Sequence, residues 1–194
     1  MSFKNSLILF VIFMALGILG YVGSRNGYYP LALVNFEVVN ARDTENNFSA
    51  AYRYFKNAAA VYGLDIKKLE SEGSRLELKR SVLEKLIQDK LIYQELKRRL
   101  RKSDFQAAAE NKINNFLTNA KNLKEASENL YGLELEEFKQ RVLAPQAYQE
   151  ILEGRMNLNN ENFSEWLIKR RSEAAIIILS PNFEWRDGRV QLKK

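Results

Sequence analysis

The sequence predicts a mainly α-helical domain behind an apolar N-terminal segment, with a small β element where the two ends of the body meet. Three observations predict it. Residues 82–99, VLEKLIQDKLIYQELKRR, are strong helix formers, with Leu83, Leu86, Ile87 and Leu91 recurring at helical spacing. Lys85, Asp89, Lys90 and Glu95 populate the other side, which predicts a helix packed on one side and wet on the other. Residues 7–22, LILFVIFMALGILGYV, carry no charge, and β-branched residues gather in LVNFEVV and AAIIIL at the two ends of the body.

The N-terminal run of about 16 to 20 apolar residues is marginal to adequate for a ~30 Å hydrocarbon core. Leu7, Phe10, Phe13, Leu16, Leu19 and Val22 are its membrane-spanning candidates. A cleaved signal peptide and a retained anchor compete. The length of the run and the poor small-residue site Tyr21-Val22-Gly23-Ser24 favour a retained anchor over residues 1–24. Lys4 and the amino terminus precede the run, which puts the N-terminus inside and the rest of the chain on the extracytoplasmic side of the cytoplasmic membrane. Tyr28 and Tyr29 suit the interface.

Residues 31–39 read as a short strand or bent strand pair. A helix follows whose stripe Phe48, Tyr52, Phe55, Ala59 and Tyr62 steps by four and three, stacking aromatic rings along one seam, and Gly63 is a natural C′ residue. A second helix over 74–100 would reach ~40 Å. Ser103 is the expected N-cap of a third, carrying Ile113, Phe116 and Leu117. Residues 121–130 make a short fourth helix. A fifth opens near Glu134, and Pro145 within it predicts a kink or break over 142–144. After the polar linker NLNNEN, residues 163–172 resume as a helix with Trp166 and Leu167 on its apolar side. AAIIIL reads as a buried strand, and Asp187-Gly188 marks a hairpin. This tail needs a strand to pair with, and the segment near 34–39 is the available one.

With 46% hydrophobic and 28% charged residues, the 194-residue chain can form one domain with a real core plus appendages. There is no cysteine and no histidine, which excludes disulfides and thiolate chemistry and removes the commonest base and metal ligand. The net charge of +6 is spread among acids. The run Lys97-Arg98-Arg99-Leu100-Arg101-Lys102 could meet anionic lipid or nucleic acid, but cations at a helix C-terminus also complement the macrodipole, and no aromatic interleaving marks a nucleic-acid face. Glu134, Glu136 and Glu137 suit the positive start of a helix better than acid–base catalysis, having no binding loop beside them. The reading is of a protein that is not an enzyme and uses no cofactor, metal, nucleic acid or small-molecule substrate.

Several motifs fall in a familiar order: Val34-Asn35-Phe36-Glu37-Val38-Val39, the helix over 83–97, Ser103-Asp104, and Gly132-Leu133-Glu134-Leu135-Glu136-Glu137-Phe138. Together they resemble the SurA-type N-terminal chaperone domain, shared with the PpiD and PrsA foldases. The likeness runs over residues 32–156. Phe36 stands where the family usually has a turn glycine, which argues against a tight turn needing positive φ there. The family often carries a parvulin isomerase domain before its closing helix. Only the asparagine-rich linker occupies that place, so the resemblance is to the chaperone module alone, with residues 25–156 as the helical domain and 157–194 as the closing helix and β tail.

The resemblance implies a membrane-anchored, extracytoplasmic holdase that binds unfolded or partly folded exported polypeptides without isomerase activity. Its client-binding candidates are Phe48, Tyr52, Phe55, Tyr62, Phe116 and Tyr131, large amphipathic rings of the kind that form contact surfaces. The alternative is an anchored structural or adaptor subunit of a membrane complex with one specific partner.

Overall fold

The computed structural model describes residues 27–193 apart from 64 and 121, together with residue 14. It is mainly helical, with small antiparallel sheets. Among the described residues no helix is long and apolar enough to cross a membrane. The membrane-spanning candidates Leu7, Phe10, Phe13, Leu16, Leu19 and Val22 lie outside the described residues.

Strands β1 (Pro30–Val34) and β2 (Glu37–Asn40) form an antiparallel hairpin closed by Asn35 and Phe36 alone. Both turn residues have positive φ, 47° and 70°. The expectation that Phe36 would prevent such a turn is therefore corrected. Asn35 tolerates the left-handed region and anchors the turn: its amide donates to Gln94 Oε1 at 2.8 Å and its Oδ1 accepts from the Ala175 N–H at 3.0 Å.

Asn40 caps helix α1 (Ala41–Val61) by accepting the Asp43 N–H at 2.7 Å, and the helix stops as expected, with Gly63 at φ +64° behind the cap residue Tyr62. A short α2 (Ile66–Glu70) leads to the central helix α3 (Glu72–Arg99), capped by Ser71. The expected wet face of α3 holds at Lys85, which is exposed, and is corrected at Glu95, which is buried. Leu83, Ile87 and Leu91 pack under the sheet with Ala32, Val34, Val39, Phe183 and Val190. Ile92 and Leu96, one step round the helix, pack instead with Phe105, Leu152 and Met156. Buried on two sides, α3 carries Glu95 into the interior at 3% exposed.

Helix α4 (Lys102–Asn119) begins one residue before Ser103, and the residue in the N-cap position, Arg101, makes no side-chain cap. Ser103 is therefore not the cap, and its hydroxyl donates to Asp104 instead. A single turn α5 (Leu123–Ala126) runs into a π-helical turn, Ser127–Tyr131, which ends at Gly132 with φ +69°. Then α6 (Leu135–Phe138) passes through a second π turn, Lys139–Leu143, into α7 (Ala144–Leu158). Over 142–144, where a kink or break is expected, the chain stays helical and passes through this π turn into α7. Pro145 sits in the first turn of α7, directly after the π turn, where the regular α-helical hydrogen-bond pattern is already interrupted.

Asn162 caps α8 (Phe163–Glu173), and β3 (Ile176–Ile178) then pairs antiparallel with β1 in the order β2-β1-β3. The tail thus meets the N-terminal hairpin through β1 and not through β2. AAIIIL is not buried: Ile176 and Ile178 face the core cluster, while Ile177 is exposed on the outer face beside Leu33 and Val38. β4 (Phe183–Arg186) and β5 (Arg189–Leu192) form a separate two-stranded ribbon around Asp187 and Gly188, both at positive φ. Phe183 and Val190 from this ribbon plug the core under the sheet.

Candidate functional site

An open groove runs between α1, α3 and the second π turn with α7. It comprises two adjoining cavities of about 400 and about 550 Å3 that share Asn47, Leu86, Asp89 and Arg141. Small residues on α1, Ala50 and Ala51, leave the space, and Leu78, Val82 and Leu86 from α3 give it an apolar base. Amide side chains stand along it: Asn47 from α1, Gln140 from the π turn, Gln146 and Gln149 from α7. Such groups can pair with the N–H and C=O of an extended chain.

Charged groups mark the groove. Asp89 lines both cavities and pairs with Lys85 one turn earlier. Burial pushes the Asp89 carboxyl above the usual aspartate range, and Lys85 opposes that shift without reversing it. Arg141 faces Asp43 and Glu137, each at 3.9 Å. Lys90 lies in the same cavity as Arg141.

The aromatic stripe expected on α1 splits between core and surface. Phe48 is core, at 2% exposed, beneath Arg75 and Lys79, which lie over its ring. Tyr52 is half-buried and stacked on it at 5.9 Å. Phe55 turns away from this pair into the groove, at 48% exposed, and packs edge-on to Tyr54. Tyr62 stands in solvent at the end of α1. Tyr131 lines the same cavity as Phe55, stacked on Tyr54 at 5.0 Å. Phe116 borders a separate cavity of about 360 Å3 between α4 and α7, with Leu143 and Ala147. The groove therefore brings together Phe55 and Tyr131 and leaves the other four elsewhere.

Sequence reasoning missed Arg141, Lys90, Tyr93 and Tyr148, which line the smaller cavity. Lys90 and Tyr93 are neighbours on α3, but nothing in the sequence joins them to Arg141 in the π turn or Tyr148 on α7. Pro145, which the sequence does single out, also lines that cavity.

The basic run at the end of α3 is occupied by ion pairs. Lys97 donates to Glu37 at 2.7 Å, Arg98 and Arg99 both bind Glu95, and Arg101 meets Asp104 at 3.0 Å. In the acidic cluster Glu136 on α6 meets Lys139, the first residue of the second π turn, at 3.1 Å. Among the described residues no three His, Cys, Asp or Glu side chains form a group able to hold a metal.

No protein-family model, curated protein or solved structure matches the chain. What the geometry defines is a helical domain with an open, amide-lined groove of mixed polarity.

Proposed function

We propose that the chain is a membrane-anchored, extracytoplasmic holdase whose groove between α1, α3 and α7 receives extended segments of unfolded exported polypeptides. The observation that carries this reading is the lining of the groove: an apolar base, Phe55 and Tyr131 at one end, and amides along the walls. Apolar client side chains lie on the base while amides pair with the client main chain, whatever its sequence. The resemblance of the motif order to the SurA-type domain supports the same reading, and the uncharged run over 7–22 supports the anchor.

The energetics favour weak, reversible capture. One client aromatic ring buries about 150–250 Å2, worth roughly 4–6 kcal/mol at ~25 cal/mol per Å2. Association and ordering oppose this with about 4–15 kcal/mol. A single ring therefore cannot hold a client, and several weak contacts release it without an energy source. The deciding experiment is suppression of aggregation of several unrelated unfolded substrates by the reconstituted chain, with a protease-coupled prolyl isomerisation assay alongside. Protection of unrelated substrates with isomerisation at the uncatalysed rate supports the reading. Protection of none defeats it, and catalysis above background removes the chaperone-module assignment.

A second reading, an anchored adaptor with one partner, draws on the outer face of the sheet, where Val38, Leu33 and Ile177 stand side by side in register. Val38 and Ile177 are exposed. An adaptor would bind one folded protein at fixed stoichiometry and leave unfolded substrates unprotected.

A further inference from the structure

We infer that the smaller cavity of the groove is a carboxylate site, in which Lys90 and Arg141 receive a carboxylate of the bound polypeptide, carried either on an acidic side chain or on its C-terminus. This rests on the groove being the polypeptide site. Both cations line the cavity of about 400 Å3, Lys90 from α3 and Arg141 from the π turn opposite. Among the described residues neither side chain has a hydrogen-bond partner. The nearest carboxylate to Lys90 is Glu37 at 3.8 Å, and the other oxygen of Glu37 is already taken by Lys97 at 2.7 Å. The guanidinium of Arg141 has Asp43 and Glu137 at 3.9 Å each, beyond hydrogen-bond reach.

The contrast with other arginines is sharp. Arg80 binds Glu77 and Glu84 at 2.6 to 2.9 Å, and Arg99 holds Glu161 through two bonds of 2.6 Å. An arginine that is four-fifths buried normally fills its planar fork with a carboxylate at about 2.7–2.9 Å. Arg141 is 20% exposed and has that fork free.

The acids nearby do not cancel the site. Asp43 and Glu137 are half-exposed and can swing to solvent. Asp89 is engaged by Lys85, one turn earlier on α3. Tyr93, Tyr148 and Gln140 complete the wall and offer neutral donors. A carboxylate entering here displaces no existing hydrogen bond of either cation.

The test measures binding of fluorescein-labelled, unstructured aromatic peptides to the full chain in lipid nanodiscs, by anisotropy. Four peptides of one sequence are compared: a free C-terminus with no acidic residue, the same peptide amidated, the amidated peptide with one internal Glu, and that peptide with Gln in its place. Either the free-terminus or the Glu peptide, or both, should bind roughly tenfold tighter than its neutral counterpart, as a charged hydrogen-bonded contact allows. Which pair separates identifies the source of the carboxylate. Arg141→Gln and Lys90→Gln should each shrink the ratio between the charged peptide and its neutral counterpart, measured on the same variant. Arg141→Lys, which keeps the charge and loses the fork, should restore only part of it.

Equal binding of all four peptides overturns the site and leaves the groove reading standing. So does a preference that survives both glutamine variants, since another cation would then be responsible. Binding of none of the four overturns the groove reading, and the carboxylate site falls with it.

Discussion

Arg99 donates to both carboxylate oxygens of Glu161, each at 2.6 Å, and so ties the end of α3 to the turn between α7 and α8. The same guanidinium reaches Glu95 through its Nε, and Arg98 binds Glu95 from the solvent side. Glu95 is thus a buried charge that survives because two cations meet it. Burial raises its pKa, and the bonds from Arg98 and Arg99 outweigh that and hold the carboxyl below the usual glutamate range.

Removing Arg99 leaves Glu95 with one exposed partner. Arg99→Met should cost about 3–5 kcal/mol, as loss of one member of a buried pair does. Glu161→Gln should cost far less, because Glu161 is exposed enough to be solvated. The pH dependence follows from the lowered pKa of Glu95. Its contribution is complete above the unfolded glutamate pKa near 4.3 and is lost as pH falls through the lower folded value. Urea denaturation between pH 7 and pH 3 checks this, and in Glu95→Gln that part of the acid slope should be missing.

Phe36 occupies the left-handed region at φ +70° with its ring in solvent, at 94% exposed. A side chain there costs roughly 1–2 kcal/mol of backbone strain, and glycine would relieve it. The greater freedom of glycine in the unfolded chain offsets about 0.5–1 kcal/mol of that gain. Phe36→Gly should therefore stabilise the fold by up to about 1 kcal/mol, read as a higher denaturant midpoint at unchanged m-value. A loss of stability would mean that the ring makes a stabilising contact that outweighs the backbone strain. Asn35→Ala should go the other way, since it frees Gln94 and the Ala175 N–H together.

Asp89 gives a second pH signature, of opposite sign to Glu95. Because burial raises its pKa, the folded state binds the proton more tightly than the unfolded state. Its charged form opposes folding, with no penalty below the unfolded aspartate pKa near 3.9 and the full penalty above the raised folded value. Asp89→Asn should stabilise the protein at neutral pH and bring no gain at pH 3. Its partner Lys85 is half-exposed and loses little. Melting curves of the two proteins that stay parallel from pH 3 to pH 8 would contradict the assignment.

The elements were legible in the sequence wherever local physics decides them. The apolar periodicity of α3, the Gly63 stop and the Asp187-Gly188 turn all depend on a few neighbouring residues. Features set by tertiary packing were not. Glu95 looks like a surface residue by its spacing and is buried because α7 and α4 cover the second side of α3. Ser103 is a good capping residue, but Lys102 already lies inside α4. Ile177 belongs to an apolar run, yet alternation along β3 turns it outward while Ile176 and Ile178 face the core. The groove was least legible, because Asn47, Asp89 and Arg141 become neighbours only when three helices assemble.

Under the proposed holdase function, the split of the aromatic stripe on α1 separates stability from client capture within one helix. Phe48 and Phe55 are two turns apart and chemically identical, yet one is sealed in the core and the other stands open in the groove. Phe48→Ser should cost at least about 3–5 kcal/mol, the range for emptying a buried phenylalanine site. Tyr52→Ser should be intermediate, since it strips the ring stacked on Phe48 and the face beneath Arg75. Phe55→Ser removes a half-exposed ring, so the melting temperature should stay nearly unchanged while protection of unfolded substrates weakens. Thermal melts and light-scattering aggregation assays on the three variants resolve the two effects. If Phe55→Ser melts as early as Phe48→Ser, the ring is a structural element of the α1–α3 packing and the groove loses its principal apolar contact. If it melts normally and protects fully, the groove is not where clients bind.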